Sequence, residues 1–270
     1  MNKFTPMKPI RLIFEAYIQS SIHVSFAVVS LLAVTSFQFE VRFEPALYIL
    51  TFAATLVGYN TIKYGWRRTA LYLIVPNRFP LLTITASASL FIIFWMLPWT
   101  QQLVVLLTGL LVLFYAFPIQ RGSPNLRNQQ KIKIYWVAFV WSLFTVVFPI
   151  ASTTVDSFLI VAVFTHRFIF VFCATIPFDI RDLPTDATTL KTLPQRFGVL
   201  STKLIGIVLG ISICFFAFWM QWEPSWVSVG IHLVLIVGIA NTSTKHKPYY
   251  ASFWVESIPI LWLLVQLISY

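Results

Sequence analysis

Three carboxylates stand close together in Phe178-Asp179-Ile180-Arg181-Asp182-Leu183-Pro184-Thr185-Asp186. On a helix, Asp179, Asp182 and Asp186 fall at i, i+3 and i+7 and share one face. Oxygen ligands gathered at a water boundary suit Mg²⁺, a hard cation that keeps several waters and takes one or two carboxylates plus phosphate oxygens. The same spacing also describes a solvated acidic helix end beside Arg181, and Pro184 can stop the helix before Asp186. Upstream, Asn60, Lys63 and Arg67 share a face at the same spacing, with Arg68 adjacent, so an amide and cations project together. There is no Gly-rich phosphate loop, no HExxH and no Cys/His metal spacing in the chain.

The elements that hold these groups are set by composition. Of 270 residues, 58% are hydrophobic and 10% are charged, against roughly 25% charged in a soluble domain. The apolar runs approach the ~20 residues that cross a hydrocarbon core and lack strand-like alternation, which excludes a β-barrel. They predict nine transmembrane helices in one all-α domain spanning 1–270, near 13–36, 45–62, 80–98, 103–119, 134–150, 157–178, 203–220, 226–241 and 251–269. The amino terminus has no cleavable signal pattern, so the first span is read as retained.

All of the 19 Lys and Arg except Arg42 and Arg167 fall on alternate sides of these spans, which is one face of the membrane. The positive-inside rule makes that face cytoplasmic, with the amino terminus there and the carboxyl terminus opposite. The net charge of +10 is therefore accounted for by topology, without a nucleic-acid partner. Cys173 and Cys214 lie inside spans and read as small buried groups. Arg167, mid-span about twelve residues before Asp179, needs a polar cavity or a partner, for which Glu15 and Glu256 are available. Gly206 and Gly210 predict close helix packing within the monomer.

The run from Asp179 to Gly198, with Lys191-Thr192-Leu193-Pro194 and Arg196-Phe197-Gly198, resembles the second aspartate-rich motif of the UbiA superfamily of intramembrane prenyltransferases. Tyr115-Ala116-Phe117-Pro118, followed by Arg121 and Lys131 and then an apolar helix with Trp141 and Thr145, is similar to the family's fourth and fifth helices. The resemblance implies nine helices around a central cavity in the bacterial cytoplasmic (inner) membrane. It also implies transfer of a prenyl group from a polyprenyl diphosphate to a lipophilic acceptor, aromatic or otherwise electron-rich. Mg²⁺ on Asp179, Asp182 and Asp186 would neutralise the departing diphosphate. Asn60, Lys63, Arg67, Arg68 and Lys131 would contact that diphosphate, while Tyr115 and Arg167 would line the cavity.

The chain departs from the family at its first motif, where Thr61, Tyr64 and Arg68 stand in place of three aspartates after Asn60. Either Lys63, Arg67 and Arg68 replace a metal as the diphosphate clamp, or they pair with the three downstream carboxylates and the site is a neutral remnant. Two functions of another class stay open beside the enzyme: a catalytically silent lipid-binding or structural relative, and a small-anion or lipid transporter with Arg167 as its substrate contact.

Overall fold

The computed structural model describes residues 9–72, 79–117, 132–222, 225–246 and 249–269; side chains are described within these except at 9–10, 65–72 and 79–80. Every regular element among them is helical. In chain order they are α1 (Pro9–Gln19), α2 (Ile22–Gln38), α3 (Pro45–Tyr72), α4 (Phe79–Met96), α5 (Trp99–Ala116) and α6 (Lys133–Ser142). After α6 come a π turn (Leu143–Val147) and α7 (Phe148–Ile150), then α8 (Ser157–Asp182), α9 (Leu193–Trp219) and α10 (Ser225–Ala240). A second π turn (Tyr250–Val255) leads into α11 (Ile258–Ser269).

Six of these segments are long and apolar enough to cross a membrane, and the α1–α2 pair, bent by 57°, makes a seventh if taken as one span. Leu81–Met96 and Ser225–Ala240 are apolar but shorter. Large apolar side chains point outward along the helices, among them Trp95, Leu106, Phe215 and Ile268. A soluble protein does not leave so large an apolar surface in water. The chain is an integral membrane protein.

The interior is packed in two main clusters. One is built on Phe170, Ile176, Leu235, Ile239 and Trp262 from α8, α10 and α11; the other on Leu32, Leu50, Phe144 and Phe148 from α2, α3 and the fifth span. Gly206 and Gly210 of α9 behave as predicted. A Cβ on Gly206 would stand 2.7 Å from Ile176 Cδ1 and one on Gly210 would stand 2.8 Å from Ile236 Cγ1, so α9 meets α8 and α10 closely where glycine leaves room.

Three local features depart from the sequence reading. The first span is broken at Ser20–Ser21, where Ser21 takes a left-handed φ of 68°. The seventh span starts ten residues early: Thr192 ends a polar loop and Pro194 opens α9, because proline at a first helical turn loses no hydrogen bond. Gly198, at φ 79°, then kinks that helix where its apolar run begins. The third is the pair of π turns, whose widened backbone sits beside polar groups in an otherwise apolar interior.

Candidate functional site

Helix α8 carries Asp179 and Asp182 in its last turn and ends there, as Pro184 foretold. The amides of Thr185 and Asp186 both donate to the Asp182 carbonyl, and this turn brings Asp186 back beside the helix. Asp179 and Asp186 meet on one cation: Lys133 Nζ lies 3.1 Å from Asp179 Oδ1 and 3.8 Å from Asp186 Oδ2. Asp182 turns away to Arg181, which donates through Nε (2.7 Å) and Nη2 (3.1 Å). The Arg181 guanidinium also covers the Phe178 ring at 5.1 Å.

Lys133 opens α6, and sequence reasoning placed it only among the topology-setting cations. The residue it chose for the site, Lys131, lies outside the described residues, as do the side chains of Arg67 and Arg68. Periodicity could not have found Lys133, because its partners are on another helix. Tyr115 is buried close to Lys133 and Tyr59, and Tyr59 meets Trp141 edge to face. Lys133, Asp179, Lys191, Thr192 and Arg196 enclose a pocket of only ≈10 Å³, about the space of one water.

Asn60 and Lys63 lie together, but not against the aspartates. Ser21, at the break between α1 and α2, donates to Asn60 Oδ1 (2.9 Å) and accepts from Lys63 Nζ (3.1 Å). Asn60 Nδ2 reaches Thr83 Oγ1 at 3.3 Å. Lys63 also donates to the Ile18 carbonyl (3.3 Å), and Tyr64 donates to that of Gln19 (2.9 Å). These carbonyls belong to the last turn of α1, so Lys63 serves as its C-terminal cap. Pairing of Lys63 with Asp179, Asp182 or Asp186, one expectation above, is not what the structure has. Glu256 lies near enough to influence both Lys63 and Arg181 electrostatically.

Arg167 is the second correction. It is fully buried, yet neither Glu15 nor Glu256 reaches it: Glu15 pairs with Arg11 at 2.9 Å. Its donors go instead to the Leu31 carbonyl (2.7 Å), Thr145 Oγ1 (3.1 Å) in the first π turn and Gln38 Oε1 (3.0 Å). Twelve helical residues separate it from Asp179, ~18 Å along α8, so it belongs to the far end of the bundle.

Among the described residues, no three His, Cys, Asp or Glu are gathered as a ligand set, since Lys133 and Arg181 draw the carboxylates apart. The donors still fit a hard divalent cation in kind. Asp179 and Asp186 already converge on one positive charge, and Asp186 Oδ2 is buried without a hydrogen-bond donor.

No protein-family model and no curated protein matches the sequence. Comparison of the structure does find relatives. A UbiA homologue from Archaeoglobus fulgidus bound to GPP and Mg²⁺ superimposes with a TM-score of 0.65 over 95% of this chain and 98% of that one, at 12% identity. The apo form of a UbiA homologue from Aeropyrum pernix K1 gives 0.63 over 91% and 97%, at 15% identity. An Archaeoglobus fulgidus UbiA homologue bound to DMAPP and Mg²⁺ gives 0.60 over 95% and 98%, at 13% identity. Whole-chain agreement at so low an identity establishes architecture and nothing finer: the chain has the UbiA-like fold.

Proposed function

We propose that this protein transfers a prenyl group from a prenyl diphosphate to a lipophilic acceptor, at the end of the bundle that carries Asp179, Asp182 and Asp186. The observation that supports this reading most is the convergence of Asp179 and Asp186 on a single cation beside further cationic side chains, in a fold shared with two structures described as bound to GPP or DMAPP with Mg²⁺. Mg²⁺ held by Asp179, Asp182 and Asp186 would neutralise the charge of the departing diphosphate. Lys133, Lys63 and Asn60, joined by Arg67, Arg68 and Lys131, would bind its oxygens through charge-assisted hydrogen bonds. Tyr59, Tyr115 and Trp141 would shield the allylic carbon from water while its bond to oxygen breaks and the acceptor attacks. A ≈10 Å³ pocket does not hold a diphosphate, so Lys133 must leave Asp179 as substrate enters. Leu81–Met96 and Ser225–Ala240 complete nine spans in this reading. The motif end faces the cytoplasm of a bacterial inner membrane.

A second reading rests on the same bridge. All three carboxylates already have basic partners, Lys133 or Arg181, and a silent relative that binds isoprenoid lipid would keep such a neutral network. Radiolabelled GPP supplied to membranes with a panel of lipophilic acceptors separates the two. Mg²⁺-dependent label in an acceptor product is expected of the enzyme, and its absence with every acceptor tried favours the silent relative.

A further inference from the structure

The second π turn delivers a further carboxylate to the motif end of the bundle. It stops at Val255, and the Glu256 amide donates to the Ala251 carbonyl, five residues back (3.1 Å). Widened turns of this kind recur at functional sites. The hydroxyl of the next residue, Ser257, lies 3.3 Å from His23 Nε2. His23 follows closely on Ser21, the hydroxyl that holds Asn60 and Lys63. Glu256 is near enough to Tyr17 of α1, Tyr59 and Lys63 of α3 and Arg181 of α8 to influence each of them electrostatically. Glu256 and Tyr59 are both surrounded by protein and yet keep accessible surface, so each borders an internal space and not a packed core.

Four other carboxylates have a basic partner within ion-pair distance: Lys133 for Asp179 and Asp186, Arg181 for Asp182 and Arg11 for Glu15. Among the described residues, the Glu256 carboxylate has no such partner and receives no hydrogen bond. Its neighbours direct their donors elsewhere. His23 Nε2 faces the Phe253 carbonyl at 3.1 Å and must donate there, so Nδ1 accepts the Tyr17 hydroxyl proton at 3.0 Å. Lys63 donates to the Ile18 carbonyl and Ser21, and Arg181 donates to Asp182. A carboxylate without a donor is costly in a membrane interior, and such groups mark sites of function.

We propose that Glu256 is the catalytic base that takes the proton from the acceptor, and that the acceptor reacts through a hydroxyl. The assignment rests on the prenyl-transfer reading and adds the destination of the acceptor's proton. The bond between the allylic carbon and the diphosphate oxygen breaks, and its electron pair leaves with diphosphate. The acceptor oxygen forms the new bond to that carbon, and its proton passes to a Glu256 oxygen, which returns it to water after the product leaves. Tyr59 stands one helical turn before Lys63, so an allylic carbon shielded by Tyr59 lies beside Glu256 when its diphosphate is held by Lys63. A hydroxyl fits because it donates to the carboxylate and still has a lone pair with which to attack. An ammonium would pair with Glu256 but has no lone pair to offer.

The test is transfer from radiolabelled GPP, with Mg²⁺, by the full-length protein in nanodiscs. Three acceptors are compared: para-nonylphenol, its ortho-nitro derivative, which is already ionised at the assay pH, and para-nonylanisole, which has no hydroxyl. The wild-type protein should label both phenols and not the anisole. Glu256→Gln keeps the shape and removes the base. It should slow transfer to the phenol by at least about a hundredfold, within the range of a general base, and transfer to the ionised nitrophenol by less than about tenfold. GPP should bind Glu256→Gln at least as tightly as wild type, because a negative charge near Lys63 and Arg181 is gone, a direction that a folding defect does not produce. Transfer to the phenol by Glu256→Gln within about threefold of wild type, equal losses on the two phenols, weaker GPP binding in the variant, or label in the anisole would each overturn the assignment and leave prenyl transfer standing. No label in any acceptor, these three or the wider panel, would overturn both.

Discussion

Lys133 Nζ stands between Asp179 and Asp186, 3.1 Å from one carboxylate and 3.8 Å from the other. Asp179 is only 3% exposed, so removing the ammonium leaves a buried charge without compensation. Lys133→Ala should cost about 3 kcal/mol of stability in the absence of divalent cation. Asp179→Ala in the same chain should restore much of it, with a coupling of at least ~1 kcal/mol in a double-mutant cycle of thermal unfolding.

Lys63 is predicted to behave differently because it caps α1 at the Ile18 carbonyl and does not meet the aspartates. Lys63→Ala should cost about 1 kcal/mol of stability, and its effect should add to that of Asp179→Ala within about 0.5 kcal/mol. If Lys63 also meets substrate, the same change weakens prenyl diphosphate binding by about 1.5–3 kcal/mol. Titration of GPP into detergent-solubilised variants reads both effects. Strong coupling between Lys63 and Asp179 would contradict the geometry described here.

The close approach of α9 to α8 gives a test of the fold itself. Gly206→Ala places a methyl 2.7 Å from Ile176 Cδ1 and should destabilise by about 1–3 kcal/mol. Ile176→Val removes the opposing methyl and should recover part of the loss.

If the motif end is cytoplasmic, a reporter fused after Ser269 and one inserted in 121–131 must report opposite compartments. The same compartment for both would rule out five spans after that loop, and with them the nine-span arrangement.

The sequence was most legible where one helix sufficed to carry the information. The apolar character of the spans and the helix stop at Pro184 are local, and the described helices, six of them long and apolar enough to cross a membrane, follow them. What could not be read depends on how helices meet. Lys133 pairs with residues from another helix and from the turn after it. Lys63 finds the end of α1 only because the first span breaks at Ser21, which takes left-handed backbone between Ser20 and Ile22. Arg167 looked like half of an ion pair. Its partners proved to be a carbonyl, a hydroxyl and an amide, groups whose availability no charge pattern reveals. The UbiA-like resemblance was carried by Asp179 to Gly198 and by Tyr115 to Thr145, and the structure shows the UbiA-like fold over the whole bundle while leaving the inverted first motif as this chain's own feature.

Equilibrium binding of radiolabelled GPP to the purified protein, with Mg²⁺ and with EDTA, compared with Asp179→Asn and Asp186→Asn, tests the central claim most directly. Asparagine keeps the shape of each side chain and removes the charge that would hold the cation. The account predicts saturable binding that requires Mg²⁺ and weakens at least tenfold in either variant, as loss of a charge-assisted contact implies. Binding that is absent, or that is equal with EDTA and in both variants, would contradict it.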